Sequence, residues 1–179
     1  MASEPRLFVI TDIHDAPSAD LCLSHGLPLH ARLSLGELCV RVDLQGEALH
    51  HHLFHNGGME LAVQRLRALI VNAPPLIGLG YSAGGTALWK AVAQENAPLF
   101  GLMCVSSTRL RDEGALPIPN AVIFGENDPG RPSQEWMATV PQIATLLPDA
   151  EHAFYADGTY PALPDLRKSL ARHVANWCS

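Results

Sequence analysis

Ser82 stands in Gly80-Tyr81-Ser82-Ala83-Gly84-Gly85, a GxSxG string with an apolar run before it and a helical pattern after it. A serine at such a strand-to-helix turn has its hydroxyl pushed out at the top of a sheet, and glycines at 80 and 84 avoid the clashes so sharp a turn creates. The amino end of the following helix faces any negative charge that develops beside the serine. A lone hydroxyl is a weak nucleophile; it needs a base, and the base needs a third group to fix its tautomer. Two downstream turns offer these groups. Phe124-Gly125-Glu126-Asn127-Asp128-Pro129 supplies carboxylates at Glu126 and Asp128, and Glu151-His152-Ala153-Phe154 supplies an imidazole. Taken singly, Ser82 reads as well as a helix cap, Asp128 as a turn former and His152 as a core histidine. Together, in the order Ser, Asp, His, they point to acyl-transfer chemistry, with Glu126 the rival acid.

The elements that must position these residues can be read from periodicity. Short apolar runs predict strands at 7–11, 38–44, 75–81, 99–106 and 121–124, with a last short one at 153–155. Helical spacing marks 58–72, 82–96, 133–147 with Pro141 as a break or kink, and 163–177. Strands that are continuous apolar runs and alternate with helices call for a mostly parallel sheet covered on both faces. The expected class is therefore α/β, a three-layer doubly wound sheet of about six strands. Its ligand site lies outside the carboxyl ends of the strands. With 179 residues, 47% of them hydrophobic, the chain is expected to form one domain over 1–179 whose core needs no disulfide or metal staple. Cys22, Cys39, Cys104 and Cys178 form no CxxC pair and read as structural thiols.

Charge narrows the partners. Twelve Lys plus Arg stand against 18 Asp plus Glu, a formal net charge of -6, with no basic run to follow a phosphate backbone or an anionic membrane. Nucleic acid and membrane are thus not expected as partners. The first residues carry no secretory pattern, so a cytoplasmic location is expected. The uncharged stretch 68–89 is long enough for a membrane helix, but Asn72, Pro74, Pro75 and four glycines punctuate it. His50-His51-His52, with His55, reads as a solvated or pocket-rim loop, or as a zinc or nickel site, although consecutive residues do not converge on one ion. Asp12-Ile13-His14-Asp15 looks like the DxH opening of calcineurin-like metallophosphoesterases, yet no GDxxD or GNH follows. Neither a metal nor an organic cofactor is expected.

Four strings together resemble the α/β-hydrolase superfamily, and the match extends over nearly the whole chain. Val42-Asp43-Leu44-Gln45-Gly46 looks like its strand-end D-L-R-G pattern, GYSAGG like its nucleophile elbow, GENDP like its acid turn and EHAFY like its histidine turn, the last similar to dienelactone hydrolases. The resemblance implies Ser82 as nucleophile, His152 as general base and Asp128 as the residue orienting it. It also implies an oxyanion hole made by the amide of Ala83 and, from the loop after the first strand, that of Ile13. Where relatives carry His-Gly before an apolar residue, this chain has Thr11-Asp12-Ile13. A carboxylate at Asp12 would repel an oxyanion unless it hydrogen-bonds its own loop or meets a polar or cationic substrate group. Tyr81 and Phe154, with Phe54 and Tyr155, are expected in the pocket wall, although core packing explains them equally.

The same resemblance implies strand order 2-1-3-4-5-6, loss of the two leading family strands and no lid in 107–120. An open site of this kind suits a small-molecule ester or thioester substrate, cleaved through an acyl-enzyme. A monomer is expected, or a weak homodimer through the edge of the second strand. The competing expectation is a catalytically inactive α/β-hydrolase-like scaffold that binds a ligand or partner, motivated by Asp12 and the missing strands.

Overall fold

A computed structural model describes residues 4–178. Its strands, in chain order, are β1 (Arg6–Ile10), β2 (Leu29–Leu33), β3 (Leu76–Tyr81), β4 (Gly101–Val105), β5 (Asn120–Gly125) and β6 (Ile143–Leu147). They form one six-stranded sheet in the order β2-β1-β3-β4-β5-β6, and every pairing is parallel. The central strands are apolar along their length because both faces are covered. Successive residues serve opposite faces: Leu7, Val9, Leu79, Met103 and Ile123 pack on one side, Phe8, Ile10, Leu102, Cys104 and Phe124 on the other.

The second face carries α1 (Leu35–Leu38), α2 (Gly46–His55), α3 (Gly58–Val71), α4 (Ala83–Glu95) and α5 (Gln134–Thr139). The first is closed by α6 (Leu163–Trp177), together with irregular chain at 16–27 and 148–160. The helix α4 opens on Ala83, Gly84 and Gly85 and lies unusually close to β3. A Cβ on Gly80 would stand 2.3 Å from the Cα of Gly85, and one on Gly84 would stand 2.4 Å from the carbonyl oxygen of Thr11. No helix among the described residues is long and apolar enough to cross a membrane.

Three expected elements are placed differently. The run 38–44 is not a strand: Ser34 and Glu37 form a reciprocal capping box that starts α1, and Val40 and Val42 lie exposed in the turns that follow. The second strand is instead Leu29–Leu33, an edge strand with little β-branched signal. The helix expected over 133–147 ends at Thr139, and Pro141, which has no amide to donate, separates it from β6. Residues 153–155 form a turn, so the last strand lies before the histidine and not beside it. The strand order 2-1-3-4-5-6 holds with these replacements. The connection 107–120 contains a short 3-10 helix, Thr108–Asp112.

Candidate active site

Ser82 follows β3 directly and caps α4 with φ 49° and ψ -121°. A non-glycine residue adopts such a backbone only where its surroundings impose it. Here the Ser82 amide donates to the Val105 carbonyl at 2.7 Å, while its own carbonyl accepts from Gly85 and Thr86 at 3.1 and 3.2 Å. The turn is therefore fastened on both sides, and the side chain projects from the carboxyl end of the sheet.

The acid and histidine turns are sewn to each other by backbone. A Cβ on Gly125 would meet the Ala150 carbonyl oxygen at 2.3 Å, so the acid turn lies directly on the loop leading to His152. Asn127 donates to Ala150 at 2.9 Å, and Glu126 to Leu147 at 2.9 Å. Asp128, 3% exposed, places Oδ1 on the Gly130 amide at 2.9 Å and Oδ2 on Nδ1 of His152 at 2.7 Å. Nε2 of the same ring is 3.2 Å from Ser82 Oγ. An ionised carboxylate accepts from Nδ1–H, which leaves the Nε2 lone pair facing the serine hydroxyl. The rival acid, Glu126, is exposed and turns its Oε2 to the Asp149 amide.

The electrostatics follow from this chain of contacts. Burial alone would raise the Asp128 carboxyl, but the hydrogen bonds from His152 and Gly130 and the nearby positive charge outweigh it and hold it below the usual range. The Asp128 hydrogen bond raises His152 above 6.5; burial opposes this, and the charges of Asp128 and Asp12 add to it.

Sequence reasoning overlooked Ser106. It follows β4 directly, at φ 53°, and donates its hydroxyl to the His152 carbonyl at 2.7 Å, fixing the backbone that carries that ring. Its only signal was its place at the carboxyl end of a strand. A pocket of about 150 Å³ opens on Ser82 and His152, walled by Ile13, Phe54 and Thr86 and by His50, Thr108 and Arg109. Ala83 also lines it, and the amides of Ala83 and Ile13 have no acceptor among the described residues.

Other expected pocket residues lie elsewhere. Tyr81 is fully buried, its hydroxyl accepting from the Leu23 amide at 2.9 Å and its ring against Tyr155. The strand alternation that exposes Ser82 turns Tyr81 into the opposite face of the sheet. Phe154 packs edge-on to Tyr155 and Tyr160, away from the serine. Asp12 is buried and lines a separate cavity of about 370 Å³ beside Asp15, Arg32 and Glu37. The histidine tract is helical rather than a loop, because Leu49 and Leu53 give it a buried stripe. That geometry sends His50 to the pocket and sets His51 beside His55 outside, the rings tilted at 41° with 4.9 Å between centroids. Among the described residues no group of His, Cys, Asp or Glu is disposed to hold a metal ion.

Comparison with solved structures matches this architecture over nearly the full length of the chain. The chain has the α/β-hydrolase fold. No family model matches the sequence, and no curated protein does. A hydrolase of the alpha/beta superfamily from Xanthomonas campestris pv. campestris superposes with a TM-score of 0.63 at 16% identity, covering 97% of this chain and 99% of that one. A CIB-like hydrolase from Thermoplasma acidophilum gives 0.64 at 13% identity, over 98% and 89%. Est1E from Butyrivibrio proteoclasticus, solved with ferulic acid bound, gives 0.60 at 15% identity, over 96% and 90%. In an α/β-hydrolase fold the loops after β3, β5 and β6 meet at one end of the sheet, and here they carry Ser82, Asp128 and His152.

Proposed function

We propose that this chain is a serine hydrolase that cleaves a small carboxylic ester or thioester through an acyl-enzyme. The observation that carries the reading is the pair of contacts running from Ser82 Oγ to His152 Nε2 and from His152 Nδ1 to Asp128. The fold neighbours named as hydrolases support it at the level of hydrolysis.

In this reading Ser82 Oγ attacks the carbonyl carbon as its proton passes to His152 Nε2, and the tetrahedral oxyanion is held by the amides of Ala83 and Ile13. Collapse breaks the bond to the alcohol or thiol, which leaves with the proton from His152. Water then attacks the acyl-serine, gives a proton to His152, and the acid departs as Ser82 recovers its proton. Asp128 stays ionised throughout and steadies the imidazolium. A pocket of about 150 Å³ favours a short acyl chain over a long one.

The test is hydrolysis of p-nitrophenyl acetate, butyrate and octanoate by wild type, Ser82→Ala and His152→Ala, with and without a chelator. We expect turnover that survives the chelator, falls with chain length, and drops roughly 10⁴-fold or more in either variant. A fluorophosphonate probe should label Ser82 in wild type and not in His152→Ala. An absence of both turnover and labelling would replace this reading with the inactive ligand-binding scaffold.

A further inference from the structure

The pocket that holds Ser82 also holds a cation that no carboxylate answers. Arg109, half-buried in the 3-10 helix Thr108–Asp112, lays its guanidinium over the Phe54 ring at 4.6 Å and points Nη2 toward His50 Nε2 at 3.5 Å. Burial, and then the charge of Arg109, lowers the His50 pKa, so at neutral pH that ring is an uncharged acceptor and not a second cation. Among the described residues no Asp or Glu lies within ion-pair distance of Arg109. Arg32, which lines the neighbouring cavity, shows the contrast: its Nη2 donates to the carbonyls of Asp15 and Pro17 at 3.0 and 2.8 Å and lies 3.4 Å from the Asp15 carboxylate.

The segment carrying Arg109 is not loose. Leu110 beside it is fully buried, Trp89 Nε1 donates to Gly114 at 3.1 Å, and Trp136 Nε1 donates to Glu113 at 3.0 Å. Lys90 pairs with Glu113 on the same stretch. A guanidinium held in place by this frame, lining the pocket beside Ser82 with no carboxylate in ion-pair distance among the described residues, is prepared to receive an anion. One positive charge matches a carboxylate; a phosphate dianion would remain half neutralised. A volume of about 150 Å³ is that of a cavity that holds benzene, about six heavy atoms, so a short acid fits and a long chain does not.

We propose, resting on the reading of Ser82 as the hydrolytic nucleophile, that Arg109 makes the site selective for esters or thioesters that bear a second, free carboxylate a few atoms from the scissile carbonyl. Arg109 binds and orients that carboxylate, His50 and Phe54 hold the guanidinium, and bond cleavage proceeds as described above.

The experiment compares monoethyl succinate with ethyl isocaproate, in which an isopropyl group replaces the carboxylate, by pH-stat on wild type, Arg109→Leu and Arg109→Lys. A third substrate, the acetyl ester of glycolate, puts the carboxylate on the alcohol side. Wild type should favour one of the two anionic esters over the neutral ester by roughly 10- to 100-fold in kcat/KM, mostly through KM. Arg109→Leu should bring that ratio to about one or below, and Arg109→Lys should keep part of it. Far-UV circular dichroism checks that both variants fold, and the ratio within one protein removes any general loss of activity.

Equal rates on charged and neutral esters in wild type, or a preference that survives Arg109→Leu, would overturn the carboxylate subsite and leave the esterase reading standing. If no ester is cleaved, calorimetric titration with monoethyl succinate decides. Binding by wild type that Arg109→Leu loses would keep the subsite on a non-hydrolytic scaffold, and no binding would reject it together with the hydrolase reading.

Discussion

Asp12 turns its carboxylate into its own loop: Oδ1 accepts from the amides of His14 and Ala16 at 2.8 and 2.9 Å, and Oδ2 from the Tyr155 hydroxyl at 2.8 Å. Three donors thus occupy the acid beside Ile13, while the Asp12 charge still reaches His152 and helps raise its pKa. This gives a pH prediction with a definite sign. In the proposed mechanism His152 acts as base only when neutral, so kcat/KM should fall as pH drops through its pKa, which is raised above 6.5. Asp12→Asn removes one charge that favours the imidazolium, so the acidic limb should move to lower pH. Asp128→Asn removes the larger cause and should move it further while lowering kcat about 10⁴-fold, since the tautomer is no longer imposed. Profiles of kcat/KM from about pH 5 to about pH 9 on a neutral ester check both. A limb that stays in place in Asp12→Asn would show that the loop's hydrogen bonds, and not its charge, are what Asp12 contributes.

The elements meet the site through close backbone approach, and that too can be tested. Gly80→Ala would force a Cβ to 2.3 Å from the Gly85 Cα, backbone against backbone, so β3 and α4 must part. A loss of roughly 1–3 kcal/mol in urea denaturation is expected, with Ser82 displaced and ester turnover reduced. Gly114→Ala is the control, since a Cβ there meets nothing within 4 Å, and it should leave the urea midpoint unchanged. Elements of this kind were readable in the sequence because glycines mark them: the turns at Ser82 and Asp128 each carry a glycine that the structure needs for contact. Elsewhere local signals competed. Residues 38–44 look like a strand in composition, yet the Ser34 to Glu37 capping box and the positive φ of Val40, 59°, belong to a helix and its exit. In the edge strand β2, His30 and Arg32 blur the apolar run on which strand reading depends, whereas β6, Ile143–Leu147, is apolar enough but follows α5 so closely that it read as the end of one helix. Arg109 had no local signature, because a pocket arginine is defined by what packs around it and not by its neighbours in sequence.

At the scale of the whole molecule the two faces of the sheet are closed differently, and the site sits mainly with one of them. Ser82 is held by β3, β4 and α4, and His152 by the acid turn and Ser106. The opposite face depends on α6 meeting the irregular chain at 16–27. Arg167 fastens that meeting, with Nε donating to the Cys22 carbonyl at 3.3 Å and Nη2 to the Asp20 carbonyl at 2.5 Å, across 145 and 147 residues of sequence. Cys22 and Leu23 in turn touch the Tyr81 hydroxyl, so the anchor reaches the buried side of β3. Arg167→Ala should therefore cost about 1 kcal/mol, the smaller part of what charged hydrogen bonds provide because one contact is exposed, and lower Tm by roughly 2–4 °C. Ester kcat/KM well below the transition should stay at the wild-type value, since the carbonyl acceptors lie on the far face and the Ser82 turn keeps its own backbone bonds. Thermal denaturation and ester kinetics on the same preparation check the pair. A fall in kcat/KM without a fall in Tm would mean that the 16–27 segment transmits to Ser82 through Tyr81, and that the two faces act on the site together.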